Sequence, residues 1–404
     1  MLRFGFILLI LFPFLAKAQF TISGKIINLY DKKPVAKASI FLSNTTVGGS
    51  SNDEGAFLLS DVKPGQYDMV ISSVGYETLH KTLQVNQNLE LSFVELTPKT
   101  VELNAVVVKP DPNWVQNYQM FKEEFFGRTP EAAQCKILNP EILDLHYDKA
   151  TNELIASTVD YLEIENKALG YNLKYNLIEF KRNYRSGVLF YFGNTLYTPI
   201  KAKPSQQKKW YKARLRAYLG SSQHYFRSLL GNRLKDEGFN TMRLMRKPNP
   251  QRQPDSLIQA KLKHHRQSNL VNGRFNIQAT DSLSYWAKQK QLPVSVDYLV
   301  TKPLRVDSLV KRTDVAGIFA LSFNDILYIV YTRKADDGSL FNKPMNAPDH
   351  PTSLMNFNEQ YAFFDANGII INPSSIMCEG AWGVDRMAKM LPVDYDPKEV
   401  NTKP

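Results

Sequence analysis

An N-terminal β-sandwich followed by a larger α+β domain, mainly β in total, is the fold class this sequence predicts. Three observations carry the prediction. Residues 19–108 contain short runs of apolar/polar alternation with turn residues between them and no convincing helical period. Pro110-Asp111-Pro112 then breaks the chain, because paired prolines disfavour both strand and helix. Beyond that point helical and strand patterns mix, without a repeat of solenoid length.

Within the first segment, Ile22, Gly24 and Ile26 alternate with Ser23, Lys25 and Ile27, and Ala38, Ile40 and Leu42 with Ser39, Phe41 and Ser43. Tyr67, Met69 and Ile71 repeat the pattern, as do Leu89, Leu91 and Phe93. Side chains two apart lie on one strand face, so each run has one buried face. Turns fall at Asp31-Lys32-Lys33-Pro34, Asp53-Glu54-Gly55, Lys63-Pro64-Gly65 and Gly75-Tyr76. Asn52, Asp53 and Glu54 lack the ordered oxygen spacing of a calcium loop and are read as a turn.

Gly24-Lys25-Ile26, Pro34-Val35, Ala38-Ser39-Ile40, Asp53-Glu54-Gly55-Ala56-Phe57, Pro64-Gly65-Gln66-Tyr67 and Val74-Gly75-Tyr76-Glu77 together resemble the carboxypeptidase regulatory-like domain. The resemblance implies a transthyretin-like sandwich of about seven strands, common in exported proteins of Bacteroidota, with residues 101–108 as its closing strand. It implies no activity, because one fold carries many functions.

Ahead of the sandwich, Arg3, an apolar run over residues 4–15 and Ala16-Lys17-Ala18 form the pattern of a cleaved secretory leader at residues 1–18. The run falls short of the roughly 20 residues that span a bilayer, and no later stretch is apolar enough to do so. An exported protein is expected, in the periplasm or at the outer membrane, with full secretion as the alternative. Of the two cysteines, Cys135 and Cys378, either a disulfide across the chain or two buried free thiols is expected.

In residues 109–404, Trp114, Tyr118, Phe121 and Phe125 share one face of a helix over Trp114–Phe126. Strands follow at residues 143–147 and 153–159, from Tyr171 to Leu177, and at 188–192 before Gly193-Asn194. A helix carrying Tyr211, Leu215, Tyr218 and Leu219 ends at Gly220. Ser221 or Ser222 caps another, whose Phe226, Leu229, Leu230 and Leu234 are apolar and which Gly238 stops. Prolines 248, 250 and 254 indicate a loop. Beyond about residue 270 strands are expected, with a hairpin at Asn367-Gly368, a short helix over 381–390 and a polar, proline-bearing tail. Cys135-Lys136-Ile137-Leu138-Asn139-Pro140, Leu169-Gly170-Tyr171, the run from Arg216 to Leu229 and Leu391-Pro392-Val393-Asp394-Tyr395 resemble an uncharacterised family of exported Bacteroidota proteins.

No catalytic residue, metal ligand or cofactor is assigned. None of the six histidines has Glu at +3, and H-E-x-x-H, G-x-S-x-G, P-loop and G-x-G-x-x-G patterns are absent. Ser221, Ser222 and His224 are read as a helix cap followed by an interfacial histidine, because hydrolase triads assemble across a fold. His264-His265 is expected at the surface. The carboxylate pairs Glu163/Glu165 and Asp394/Asp396 leave glycan hydrolysis as the alternative function. The chain is too short for a plug plus an outer-membrane barrel.

Charge is the unusual feature. The chain carries +11 overall, and residues 201–266 alone hold 17 Lys/Arg against Asp236, Glu237 and Asp255. Lys208, Lys209, Trp210, Lys212, Arg214, Arg216 and Arg227 interleave cations with an aromatic in this basic, largely helical segment and are the candidate partner-binding residues. After export the expected partner is an envelope protein, an acidic glycan or lipopolysaccharide rather than nucleic acid. A solvated cationic face is the plainer alternative. The leading expectation is a non-enzymatic cell-envelope protein that binds another envelope component.

Overall fold

The computed structural model describes residues 19–99, 112–268, 280–336, 343–344 and 346–398. The expected leader, the closing strand at 101–108 and the first two residues of Pro110-Asp111-Pro112 lie outside them. Among the described residues the chain is mainly β, a sandwich of seven strands followed by a larger α+β region.

The sandwich comprises β1 (Phe20–Asn28), β2 (Ser39–Leu42), β3 (Gly48–Ser50), β4 (Ala56–Val62), β5 (Gly65–Ser72), β6 (Leu79–Val85) and β7 (Leu89–Leu96). One sheet is ordered β4-β1-β7 and the other β3-β2-β5-β6. Ile22, Ile26, Ile40, Leu42, Leu59 and Met69 fill the space between them. At the Asp53-Glu54-Gly55 turn, Gly55 has φ +78°, and a Cβ there would sit 2.4 Å from the Ile26 carbonyl oxygen. The Asn52 side chain accepts from Ala56 N–H at 2.7 Å, closing the turn. Phe41, read from alternation as outward-facing, is buried, because its ring meets Tyr161 of the C-terminal region edge-on.

Next come α1 (Trp114–Phe126), β8 (Cys135–Ile137), β9 (Leu143–Asp148), β10 (Glu153–Thr158), β11 (Leu162–Asn166), β12 (Tyr171–Asn183) and β13 (Leu189–Pro199). They form one sheet, β8-β11-β12-β10-β9, with β13 also paired to β12. The aromatic face of α1 packs on it, with Phe121 and Phe125 fully buried and Trp114 stacked on Tyr118. β13 runs on through Gly193, where a strand end was expected. A Cβ at Gly193 would lie 2.3 Å from the Asn176 carbonyl oxygen, so the glycine permits close strand approach rather than a turn.

The remainder holds α2 (Pro204–Tyr218), α3 (Ser222–Leu230), β14 (Phe239–Pro248), α4 (Asp255–Ser268), α5 (Thr280–Gln291), β15 (Ser295–Val300), β16 (Val310–Arg312), β17 (Ile318–Leu321), β18 (Ile326–Tyr331), β19 (Thr352–Phe357), β20 (Ala362–Asp365), β21 (Ile376–Gly380) and α6 (Ala381–Val384). Two sheets result, β15-β14-β18-β19-β21 and β16-β17-β20. Between them α3 buries Tyr225, Phe226 and Leu229 against Leu327, Met355 and Phe364.

Several sequence expectations are corrected in this region. The α3 helix stops at Leu230, not at Gly238, and residues 280–291 are helical. β14 was not foreseen, because Arg243, Arg246, Lys247 and Pro248 resemble a polar loop. In the sheet Arg243 pairs with Asp325, and Arg246 with both Asp297 and Glu379, partners remote in sequence. The Cys135–Cys378 disulfide is not formed. Both thiols are free, on β8 and β21, and pack against different cores. Burial pushes each up to about 12.

Residues 391–395, expected to belong to a polar tail, instead form a buried strap. Val393 enters the sandwich core, and its N–H donates to the Asn44 carbonyl at 2.7 Å. Asp394 accepts from Thr46 N–H at 3.0 Å. The sandwich also joins the second sheet directly, as Asn44 N–H donates to Thr195 O at 2.6 Å and Tyr197 N–H to Thr45 O at 2.9 Å.

Candidate functional site

The α2 helix begins with proline at its first position, where a missing N–H costs nothing, and contains no Asp or Glu. Its inward side is held by the turn Leu169-Gly170-Tyr171. Trp210 is buried, and its indole N–H donates to the Lys167 carbonyl at 2.7 Å. Arg214 donates to the carbonyls of Leu169 at 2.7 Å and Gly170 at 3.0 Å, with its guanidinium 3.9 Å from the centre of the Tyr171 ring. Gly170, at φ +71°, leaves the space that the indole fills.

Three of the seven candidate partner-binding residues are engaged within the fold. Trp210 and Arg214 are anchors of α2, because hydrogen bonding and ring stacking occupy their polar groups within the fold. Arg227 is likewise committed, donating to the carbonyls of Asn367 at 2.8 Å, Tyr395 at 3.0 Å and Val393 at 2.7 Å. The other four, Lys208, Lys209, Lys212 and Arg216, are exposed on α2. Residues 208, 212 and 216 are four apart, so they line one side of the helix. No described acid pairs with any of them.

Arg216 also lines a cleft of about 520 Å³ between the loop after α1, the C-terminal half of α2 and the segment around α6. Arg128, Lys334 and Lys389 line it as well, together with Glu131, Asp336 and Asp385. Asp336 is bound by Lys343 at 2.5 Å and Asp385 by Lys389 at 3.3 Å. Burial raises the Asp385 carboxyl above its usual range, with Lys389 opposing the shift. Sequence reasoning missed Arg128, Lys334, Lys389 and Asp385, because no spacing rule connects residues so far apart along the chain.

Ser221 caps α3, accepting from His224 N–H at 3.2 Å. His224 is buried, and the Gly220 N–H donates to its Nδ1 at 3.2 Å. That leaves the proton of the neutral ring on Nε2, 3.4 Å from Glu237 Oε2. Burial lowers the His224 pKa, against the pull of Glu237. Below about pH 6.5 the unfolded chain takes up a proton that the folded ring resists, so stability present above that pH falls as the solution is acidified. His224→Gln should flatten this dependence, read from urea midpoints at pH 8 and pH 5. An unchanged slope would remove His224 as its source.

The paired carboxylates weighed for hydrolysis do not line the cleft. Glu165 binds Lys167 at 3.1 Å, and Glu163 stands opposite Lys174 on the neighbouring strand. Asp394 belongs to the strap. His264 is exposed, and its ring meets His265 edge-on. No group of His, Cys, Asp and Glu among the described residues is arranged to hold a metal, and no described helix is long and apolar enough to cross a membrane.

Among solved structures, the chain is similar to a cohesin–X-dockerin complex from Acetivibrio cellulolyticus, with 24% identity over 18% of this chain and 52% of that one and a TM-score of 0.17. The chain thus spans about half the length of that structure. It is similar to a pilus 2b backbone protein of group B streptococcus at 16% identity, covering 20% of this chain and 42% of that one, with a TM-score of 0.18. A Bacteroides fragilis protein of unknown function aligns over 90% of this chain and 95% of its own, at 10% identity and a TM-score of 0.17. No curated protein matches the chain. A family model does match within it: residues 22–108, whose described part folds as the sandwich, are a CarboxypepD_reg-like domain.

Proposed function

We propose that this chain is a non-enzymatic protein of the cell envelope, exported to the periplasm or the outer membrane, that binds an acidic envelope component through α2 and the adjoining cleft. One observation carries the reading. The fold turns Trp210 and Arg214 inward as anchors and leaves Lys208, Lys209, Lys212 and Arg216 as an exposed cationic ridge with no acid on the helix. Such a ridge attracts polyanions and speeds their association at low salt.

The test is binding of residues 19–404 to lipopolysaccharide vesicles and to acidic envelope extracts across a salt series. Replacing Lys208, Lys209, Lys212 and Arg216 together by serine should weaken binding at least about tenfold and flatten its salt dependence. The urea midpoint should stay in place, since these side chains are exposed. Equal binding by the variant and the parent protein would remove the ridge as the site.

A further inference from the structure

Where α2 ends, the lining changes character. The ridge is purely cationic, whereas the cleft sets Arg216, Arg128, Lys334 and Lys389 among three carboxylates and an aliphatic wall that includes Leu169, Leu219 and Val384. Arg128 is paired with Glu123 at 2.9 Å, and Lys389 with Asp385. Arg216 and Lys334 have no ion-pair partner among the described residues.

We propose that the cleft receives an extended segment of a partner protein carrying one acidic side chain between aliphatic ones. This deepens, and rests on, the reading of ridge and cleft as a binding surface. Arg216 and Lys334 take the carboxylate, the aliphatic wall covers the flanking side chains, and Glu131 accepts backbone N–H groups, which a peptide supplies. A polyanionic glycan or a lipid phosphate fits less well, because Glu131, Asp336 and Asp385, the last two already paired with lysines, offset most of the positive charge of the cleft. The cleft also offers a sugar ring no open aromatic platform: the Trp382 ring is buried, and its indole N–H is held by the Gly220 carbonyl at 2.7 Å. The volume of about 520 Å³ lies within the range of sites that hold small ligands.

The experiment measures binding of residues 19–404 to a labelled, acetylated and amidated hexapeptide, Leu-Ala-Glu-Leu-Ala-Leu, to its Glu-to-Gln version and to trigalacturonate. The acidic peptide should bind at least about tenfold more tightly than the Gln version, as expected for a charge-assisted contact. Lys334→Ala and Arg216→Ala should each abolish that difference, while Lys208→Ser/Lys209→Ser/Lys212→Ser retains it. Equal binding of the two peptides, tighter binding of trigalacturonate, or no peptide binding up to about 1 mM overturns the ligand class. The lipopolysaccharide assay of the ridge variant is read separately: if its loss persists while the peptide fails, the ridge stands and only the peptide site falls.

Discussion

Gly170→Val should destabilise the protein by about 4 kcal/mol or keep the folded chain from accumulating. Residue 170 sits at φ +71°, and its Cβ would lie 2.2 Å from Trp210 Cδ2 and 2.5 Å from Cε3. A β-branched residue in the left-handed region carries about 1–2 kcal/mol of strain by itself. The indole must also leave its pocket, losing its hydrogen bond to the Lys167 carbonyl and burial of the kind whose loss costs about 3–5 kcal/mol in a truncated core aromatic. Both effects fall on the socket of α2, so the ridge is displaced along with the lost stability. A urea midpoint unchanged from the parent would show that Trp210 does not hold α2.

Arg227→Ala should cost about 3 kcal/mol and release the strap. One guanidinium serves the carbonyls of Asn367, Val393 and Tyr395. Removing it takes a donor from all three carbonyls, leaving Val393 only the long contact from Gln223 at 3.4 Å, and hydrogen bonds to a charged group are worth about 1.5–3 kcal/mol each when not shared. Arg227→Lys should recover only part of the loss, because an ammonium cannot reproduce the planar fork. Limited proteolysis should cut the alanine variant between Met390 and Tyr395, where the parent resists. If the variant keeps its stability and its strap but loses lipopolysaccharide binding, Arg227 is a binding residue after all.

The sandwich was the most legible part of the chain. Its strands show period-two alternation, and turns such as Asn52 to Gly55 close with their own side chains. Helix α1 was equally legible, from its aromatic spacing alone. β14 was not, because its arginines are satisfied by Asp325, Asp297 and Glu379, acids that no local pattern associates with them. The candidate site was half legible: its charge excess is written in the sequence, but which cations remain free is not. Trp210, Arg214 and Arg227 read as equivalent to Lys208 or Arg216 until their carbonyl partners are known.

By itself, then, the sequence determined the β-sandwich, the mixed region behind it and the basic segment, because alternation, helical spacing and charge are local properties. Only the tertiary structure decided that residues 391–395 are a strap rather than a tail, that the two thiols stay apart, and that Arg128, Arg216, Lys334 and Lys389 share one cleft. Those outcomes depend on which distant backbone carbonyls and carboxylates meet each side chain, and such meetings are set by packing of whole elements rather than by any residue's neighbours along the chain.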